Sequence, residues 1–205
     1  MPRTAAANQQ IRDAQRARIV EAAWTVFAQK GRATTMADVA AAAGVSYGLA
    51  YRYFASKEAL YQALIEESLQ ASATYLERCL QRSGTPRERL IALISGLVNT
   101  RRARPELSQL FAHVLGDPAT PADLQERAVQ IGRAFADLFR QLIVEGQALG
   151  EVRDGDPDQL VTAILATLDG LSRLAASDPD RFHQHFPDAR IVLGLVLPSA
   201  PNMEE

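Results

Sequence analysis

The stretch GVSYGLAYRYF, Gly44–Phe54, sets three tyrosines and an arginine on a segment too short to bury them all. Gly44 supplies a tight turn, and Ser46 is placed to cap a helix running to about Phe54. On that helix Ala50 and Phe54 share the face suited to a core. Tyr47 and Tyr51, one turn apart, are therefore expected to point outward. Gly48 costs about 0.8 to 1 kcal/mol relative to alanine inside a helix, a loss that is tolerable where another molecule's backbone comes close.

Upstream, Thr35 offers an N-cap with Asp38 three positions on, and Met36, Val39, Ala40 and Ala43 form one apolar stripe. That is a short helix, followed by the Gly44 turn, with Val45 as a plug between the two helices. An earlier helix is expected from about Arg12, with Ile19, Ala22, Ala23, Val26 and Phe27 at helical spacing and a stop at Gly31. Residues 1–10 read as a flexible arm. Helix, glycine turn, helix is the arrangement of a helix-turn-helix, whose second helix enters the major groove of DNA. Phenolic hydroxyls at Tyr47 and Tyr51 can bond a phosphate or a base, and their rings can pack on a thymine methyl. Ser46 and the amides that open the helix can bind a phosphate, while Arg52 and Lys57 add positive charge. Up to Ile65 there are eight basic residues against four acidic ones, although the whole chain of 205 residues carries −2. A polyanion as partner accounts for that local surplus, and a solvated face is the competing account.

Beyond Phe54, Ser56 can cap a long helix beginning at Lys57, with Leu60, Leu64, Leu69, Leu76 and Leu80 along it. Pro86 and Pro105 each open a further helix, the second carrying Leu107, Leu110, Phe111, Val114 and Leu115. Leu124 to Leu142 continues the helical period, EVRDGDPDQ marks a polar turn, Leu160–Ala175 is apolar over a wide arc, and SDPDRFHQHFPD reads as a loop before the apolar run Ile191–Leu197. No alternating strand pattern is found, so the fold class is all-α. The division expected is an arm at 1–10, a helix-turn-helix domain at 11–56, a larger helical domain at 57–200 and a tail at 201–205. Apolar helices so near the end of the chain call for a cover. A second copy is the expected one, meeting Leu160, Ile164, Leu168, Leu171, Ile191, Leu193, Leu195 and Val196 in a two-fold dimer, with an intramolecular core as the alternative.

A single cysteine, Cys79, cannot form an internal disulfide, and no charged start leads into an apolar signal region. No run approaches the about 18 apolar residues of a membrane span. A soluble, cytoplasmic protein with no membrane partner is expected. In the larger domain a small molecule would lie among helices lined by apolar groups with a few polar ones. Tyr75, Leu97, Arg101, Leu107, Phe111, His113, Val114, Phe135, Phe139 and Leu168 are the expected lining, and plain core or surface is the competing reading for each. His113 has no carboxylate spaced with it and lies far from His183 and His185, so neither metal nor other cofactor is expected. No phosphate loop, nucleophile elbow or paired ligand set argues for an enzyme.

The segment RIVEAAWTVFAQKGRATTMADVAAAAGVSYGLAYRYFASKEALYQAL, from Arg18, resembles the N-terminal domain of TetR-family transcriptional regulators. The specific elements are TTMADVAAAAGVS, the YRYF ending and the SKEAL start of the next helix. The resemblance implies a three-helix DNA-binding domain and a larger helical domain that dimerises and often binds a small effector. It also implies that Thr35 contacts phosphate, that Ser46, Tyr47, Gly48 and Leu49 form the leading edge of the recognition helix, that Tyr51, Arg52 and Tyr53 reach backbone or bases, and that Lys57 holds a phosphate. Tyr47 stands where the family often has a basic or small residue, and Ala37 offers no long side chain. The commoner family behaviour is repression of a palindromic operator, relieved by a small-molecule effector. Activation, or a constitutive DNA-binding dimer without effector, would use the same parts.

Overall fold

Alanine has the highest helix propensity of all residues, and the AAANQQ sequence ahead of Ile11 contains neither glycine nor proline. Helix α1 accordingly spans Ala5–Lys30, so residues 5–10 are helix rather than the expected flexible arm. The computed structural model describes residues 5–105, 114 and 120–198. A single 3-10 turn at Gly31–Ala33 follows α1, with Gly31 at φ 53°. Helix α2 is Met36–Ala43, α3 is Tyr47–Tyr53 and α4 is Lys57–Leu80. Then come α5 at Pro86–Ala103, α6 at Ala122–Ala148, α7 at Pro157–Ser177, and two short helices, α8 at Pro179–Gln184 and α9 at Ala189–Leu193. Helices without a strand are found among the described residues.

Two compact units divide the chain between Ser68 and Leu69. That division falls inside α4, further along than the expected boundary at its start. In the first unit α1 packs on α2 and α2 on α3. The buried side chains include Ile19, Val20, Ala23, Trp24 and Val26 of α1, Met36, Val39, Ala40 and Ala43 of α2, Ala50 and Phe54 of the third helix and its end, and Leu60, Leu64 and Ile65 of α4. Gly44 closes α2 in the left-handed conformation at φ 64°, and its amide donates to the Ala40 and Ala41 carbonyls. A side chain is strained at that φ, which explains the glycine.

The second unit has one core, drawn from Leu90, Leu93, Ile94 and Val98 of α5, Leu138, Phe139, Leu142 and Ile143 of α6, and Val161, Ile164, Leu168 and Leu171 of α7. Thr85 and Glu88 form a reciprocal capping box at the start of α5, and Asp156 caps α7. Gly146 lets α6 lie against the following turn: a Cβ there would come within 2.4 Å of a Val152 methyl.

Two expectations change here and a third goes untested. The SDPDRFHQHFPD segment contains α8, whose Phe182 meets Phe186 edge to face at 4.7 Å between ring centroids. These two rings give a short polar segment an apolar anchor in the core. The helix expected from Pro105 falls mostly outside the described residues. Of the side chains assigned to a dimer interface, Ile164, Leu168, Leu171, Leu193 and Val196 are buried within the single chain. They pack against the core that α5 and α6 also supply, so a second copy has nothing of them to cover. Leu160 and Leu195 are half-buried against the same core, whereas Ile191 is 68% exposed.

Candidate nucleic-acid interface

Helix α3 is built by its cap. Ser46 Oγ accepts the Leu49 amide at 3.2 Å, which fixes where α3 begins and leaves the hydroxyl hydrogen able to donate outward. From that start Ala50 is fully buried and Phe54 nearly so, and the opposite face follows by helical geometry. Tyr47 is 56% and Tyr51 41% exposed, as the spacing predicts. Their hydroxyls are 3.2 Å apart, Tyr47 donating to Tyr51, and their rings lie tilted at 4.8 Å. The closeness of the Tyr47 hydroxyl, then some loss of hydration, raises the Tyr51 phenol above its ordinary value; like any phenol it is protonated at neutral pH and can donate to a phosphate. Between the tyrosines, Gly48 faces open space: a Cβ there would meet nothing within 4 Å. Its φ is not in the left-handed region either, so neither packing nor backbone conformation within the chain requires glycine there. Arg52 is exposed and Leu49 half-buried.

Thr35 caps α2 by accepting the Asp38 amide at 3.2 Å, while Asp38 Oδ2 accepts both the Thr35 amide at 3.0 Å and its hydroxyl at 2.7 Å. Lys30 reaches the other carboxylate oxygen at 2.6 Å. This lysine, then the threonine bonds, hold the Asp38 carboxyl down to about 2. At the start of α4, Ser56 Oγ accepts the Ala59 amide at 3.1 Å, and Lys57 follows half-buried.

Some residues read as facing a polyanion have work inside the unit. Tyr53 donates its hydroxyl to Gln15 Oε1 of α1 at 2.8 Å, which turns it away from the face of Tyr47 and Tyr51. Arg18 donates to the Ala43 carbonyl at 2.9 Å, satisfying the end of α2, and Arg16 lies 5.3 Å over the Phe54 ring. With Lys30 committed to Asp38, three of the local cations hold helices together. Pairings 25 and 38 residues apart leave no periodic trace by which to find them.

In the second unit the expected effector residues form two groups. Tyr75 donates to the Leu93 carbonyl at 3.2 Å and stacks on Phe135 at 6.2 Å, both rings half-buried. A Cβ at Gly96 would lie 2.0 Å from the Tyr75 hydroxyl, so that glycine is what admits the phenol. Burial, then neighbouring Cys79, push the Tyr75 phenol up. Arg101 donates from Nε to the Leu168 carbonyl at 3.0 Å and from Nη1 to the Leu97 carbonyl at 3.1 Å. Phe139 and Leu168 are core, and Val114 is buried. Leu107, Phe111 and His113 lie outside the described residues. Among the described residues no three His, Cys, Asp or Glu side chains converge as metal ligands, and no helix is long and apolar enough to cross a membrane.

Residues 19–64 match the profile of bacterial regulatory proteins of the tetR family, and residues 86–189 match that of the BetI-type transcriptional repressor C-terminal domain. The chain belongs to the TetR family. It is 30% identical over 154 residues to the HTH-type transcriptional regulator BetI of Rhizobium meliloti, covering 75% of this chain and 73% of that protein. To the regulator TtgR of Pseudomonas putida it is 28% identical over 176 residues, covering 80% and 81%. Among solved structures, the MbdR regulator of Azoarcus sp. CIB superposes with a TM-score of 0.69 at 26% identity, over 88% of this chain and 94% of that one. The ketosteroid regulator KstR2 of Mycobacterium tuberculosis gives 0.70 at 22% identity, over 90% and 95%, a likeness of fold. This TetR-family chain is thus a helix-turn-helix, DNA-binding transcriptional regulator.

Proposed function

We propose that this regulator is a homodimeric repressor of a palindromic operator, read through Ser46, Tyr47, Gly48, Tyr51 and Arg52 and released by a small molecule bound in the second unit. The observation that carries the DNA reading is the exposed tyrosine pair flanking a glycine whose missing side chain opens onto solvent. Close approach of a sugar-phosphate backbone is what an open Gly48 admits. Thr35 and Lys57 stand at the starts of α2 and α4, where backbone amides also favour a phosphate, and they act as positioning contacts. Leu49 supports the helix from a half-buried position, and Tyr53 acts through Gln15 rather than on bases. The working compartment is the cytoplasm, where the operator is.

Repression and release follow from linkage. An effector that binds the second unit better when the two recognition helices are off register lowers operator affinity by its differential affinity, and DNA weakens effector binding equally. The dimer sets its recognition helices about one turn apart, roughly 34 to 36 Å. Leu174 and Ile191, 56% and 68% exposed, are the apolar side chains of α7 and α9 open to a second copy. Half-buried Leu160 lies near the start of α7 and half-buried Leu195 just after α9.

Selection of bound sequences from a random duplex library, at fixed salt, tests the reading. A two-fold symmetric motif with half-sites one turn apart is expected. A folded protein that enriches an asymmetric motif, or none, contradicts the palindromic operator.

A further inference from the structure

Two arginines end α5 side by side and are used differently. Arg102 is exposed, lies 4.9 Å over the Phe186 ring and donates from Nη2 to the Phe186 carbonyl at 3.3 Å. It holds the segment after α8 in place, and a cation at a helix C-terminus is favourable in itself. Arg101 instead turns inward, across to α7. Loss of hydration there pulls its pKa down, which Asp169 opposes only in part. Asp169 is engaged elsewhere, accepting Arg173 Nε at 2.9 Å on the outer surface.

Compensation of the Arg101 charge is thin. The Leu168 carbonyl that takes its Nε also accepts the Ser172 hydroxyl at 3.1 Å. No carboxylate pairs with the guanidinium among the described residues, and its Nη2 atom bonds to none of them. A half-buried cation with no carboxylate beside it among the described residues is poorly compensated, and a fork held at two nitrogens with donors to spare suits a carboxylate or phosphate. The surroundings match the rest of such a ligand. Leu93, Leu97 and Arg101 stand on successive turns of one face of α5. Tyr75 and Phe135 stack at the Leu93 end, and they and Leu97 are only half-buried.

We propose that Arg101 binds the anionic head group, a carboxylate or a phosphate monoester, of an effector whose apolar body lies along Leu97 toward Tyr75 and Phe135. This rests on the effector reading above and gives it a ligand class: an apolar molecule with one acidic end. A cationic ligand is repelled.

Calorimetric titration of the full-length protein tests it, with decanoate, decyl phosphate, decanol and decyltrimethylammonium as probes, each below its micelle-forming concentration. At least one of the two anions should bind about tenfold more tightly than decanol, the least that a charge-assisted hydrogen bond gives. Which anion binds separates the carboxylate from the phosphate source. Arg101→Gln should bring the anion to the level of decanol, and Arg101→Lys should keep part of the preference. The lysine variant carries the test if the glutamine variant fails to melt cooperatively: an anion preference that falls below wild type but stays above decanol is then expected. Decanol binding as well as the anions, or an anion preference unchanged by substitution at Arg101, overturns the proposal and leaves an effector site standing. Binding of none of the four removes the apolar site itself, and the effector reading with it.

Discussion

Gly48 and Asp38 show how much one residue carries. Alanine at 48 would enter open space on an exposed helix, so Gly48→Ala should raise thermal stability by up to about 1 kcal/mol. In the proposed complex the same methyl would stand in the way of the DNA backbone, and operator affinity should fall in a gel-shift titration. A rise in both would mean that nothing approaches this position. Asp38 ties Lys30 to Thr35, and its carboxyl is held down to about 2 against an ordinary 3.8. A depressed carboxylate favours the folded state above the unfolded value and loses that contribution as pH falls through the folded one. Stability should therefore decline between pH 4 and 2, and Asp38→Asn should flatten that part of a urea-denaturation profile. The outward tyrosines and the Thr35 box were legible because caps and the i, i+4 rule are local. Tyr53 was not, because its partner Gln15 lies on another helix and a hydroxyl does not announce which side it will serve.

Helices were read from periodicity, caps and breakers, and those signals locate α2 to α7 well. Their failures have separate causes. α1 starts early because alanine-rich polar sequence has helix propensity without any apolar stripe to mark it. α8 was missed because six residues are too few for a period to show, although Phe182 and Phe186 were there to suggest a buried edge. Fit between α6 and its following turn rests on Gly146, and no spacing rule foretold a 2.4 Å approach. Gly146→Ala should cost about 1 to 3 kcal/mol by overpacking, read as a lower denaturation midpoint. An unchanged midpoint would show that Val152 yields freely.

At the scale of the whole molecule, sequence could say that the last helices are apolar but not what covers them. Their inward side chains are covered by α5 and α6 of the same chain, and composition does not distinguish that from a partner's surface. Exposure now separates the two. Ile191→Asp and Leu174→Asp alter side chains exposed on the single chain, so each should leave the fold of the second unit intact while, for the proposed dimer, light scattering shifts toward monomer. Leu193→Asp places a carboxylate in the core and should unfold the second unit at lower temperature whatever the oligomeric state. A dimer that survives both surface substitutions would place the two-fold elsewhere.

The hydrogen bond between Tyr47 and Tyr51 has a consequence for the entropy of recognition. Ordering a rotamer-rich side chain on binding costs about 0.5 to 1.5 kcal/mol. Here each ring restrains the other before DNA arrives, so much of that ordering is already incurred in folding. In the proposed contact the two tilted side chains, each restraining the other, would meet DNA as one unit, and replacing either should loosen the one that remains. Their contributions to affinity should consequently be non-additive, the double substitution costing less than the two single ones together.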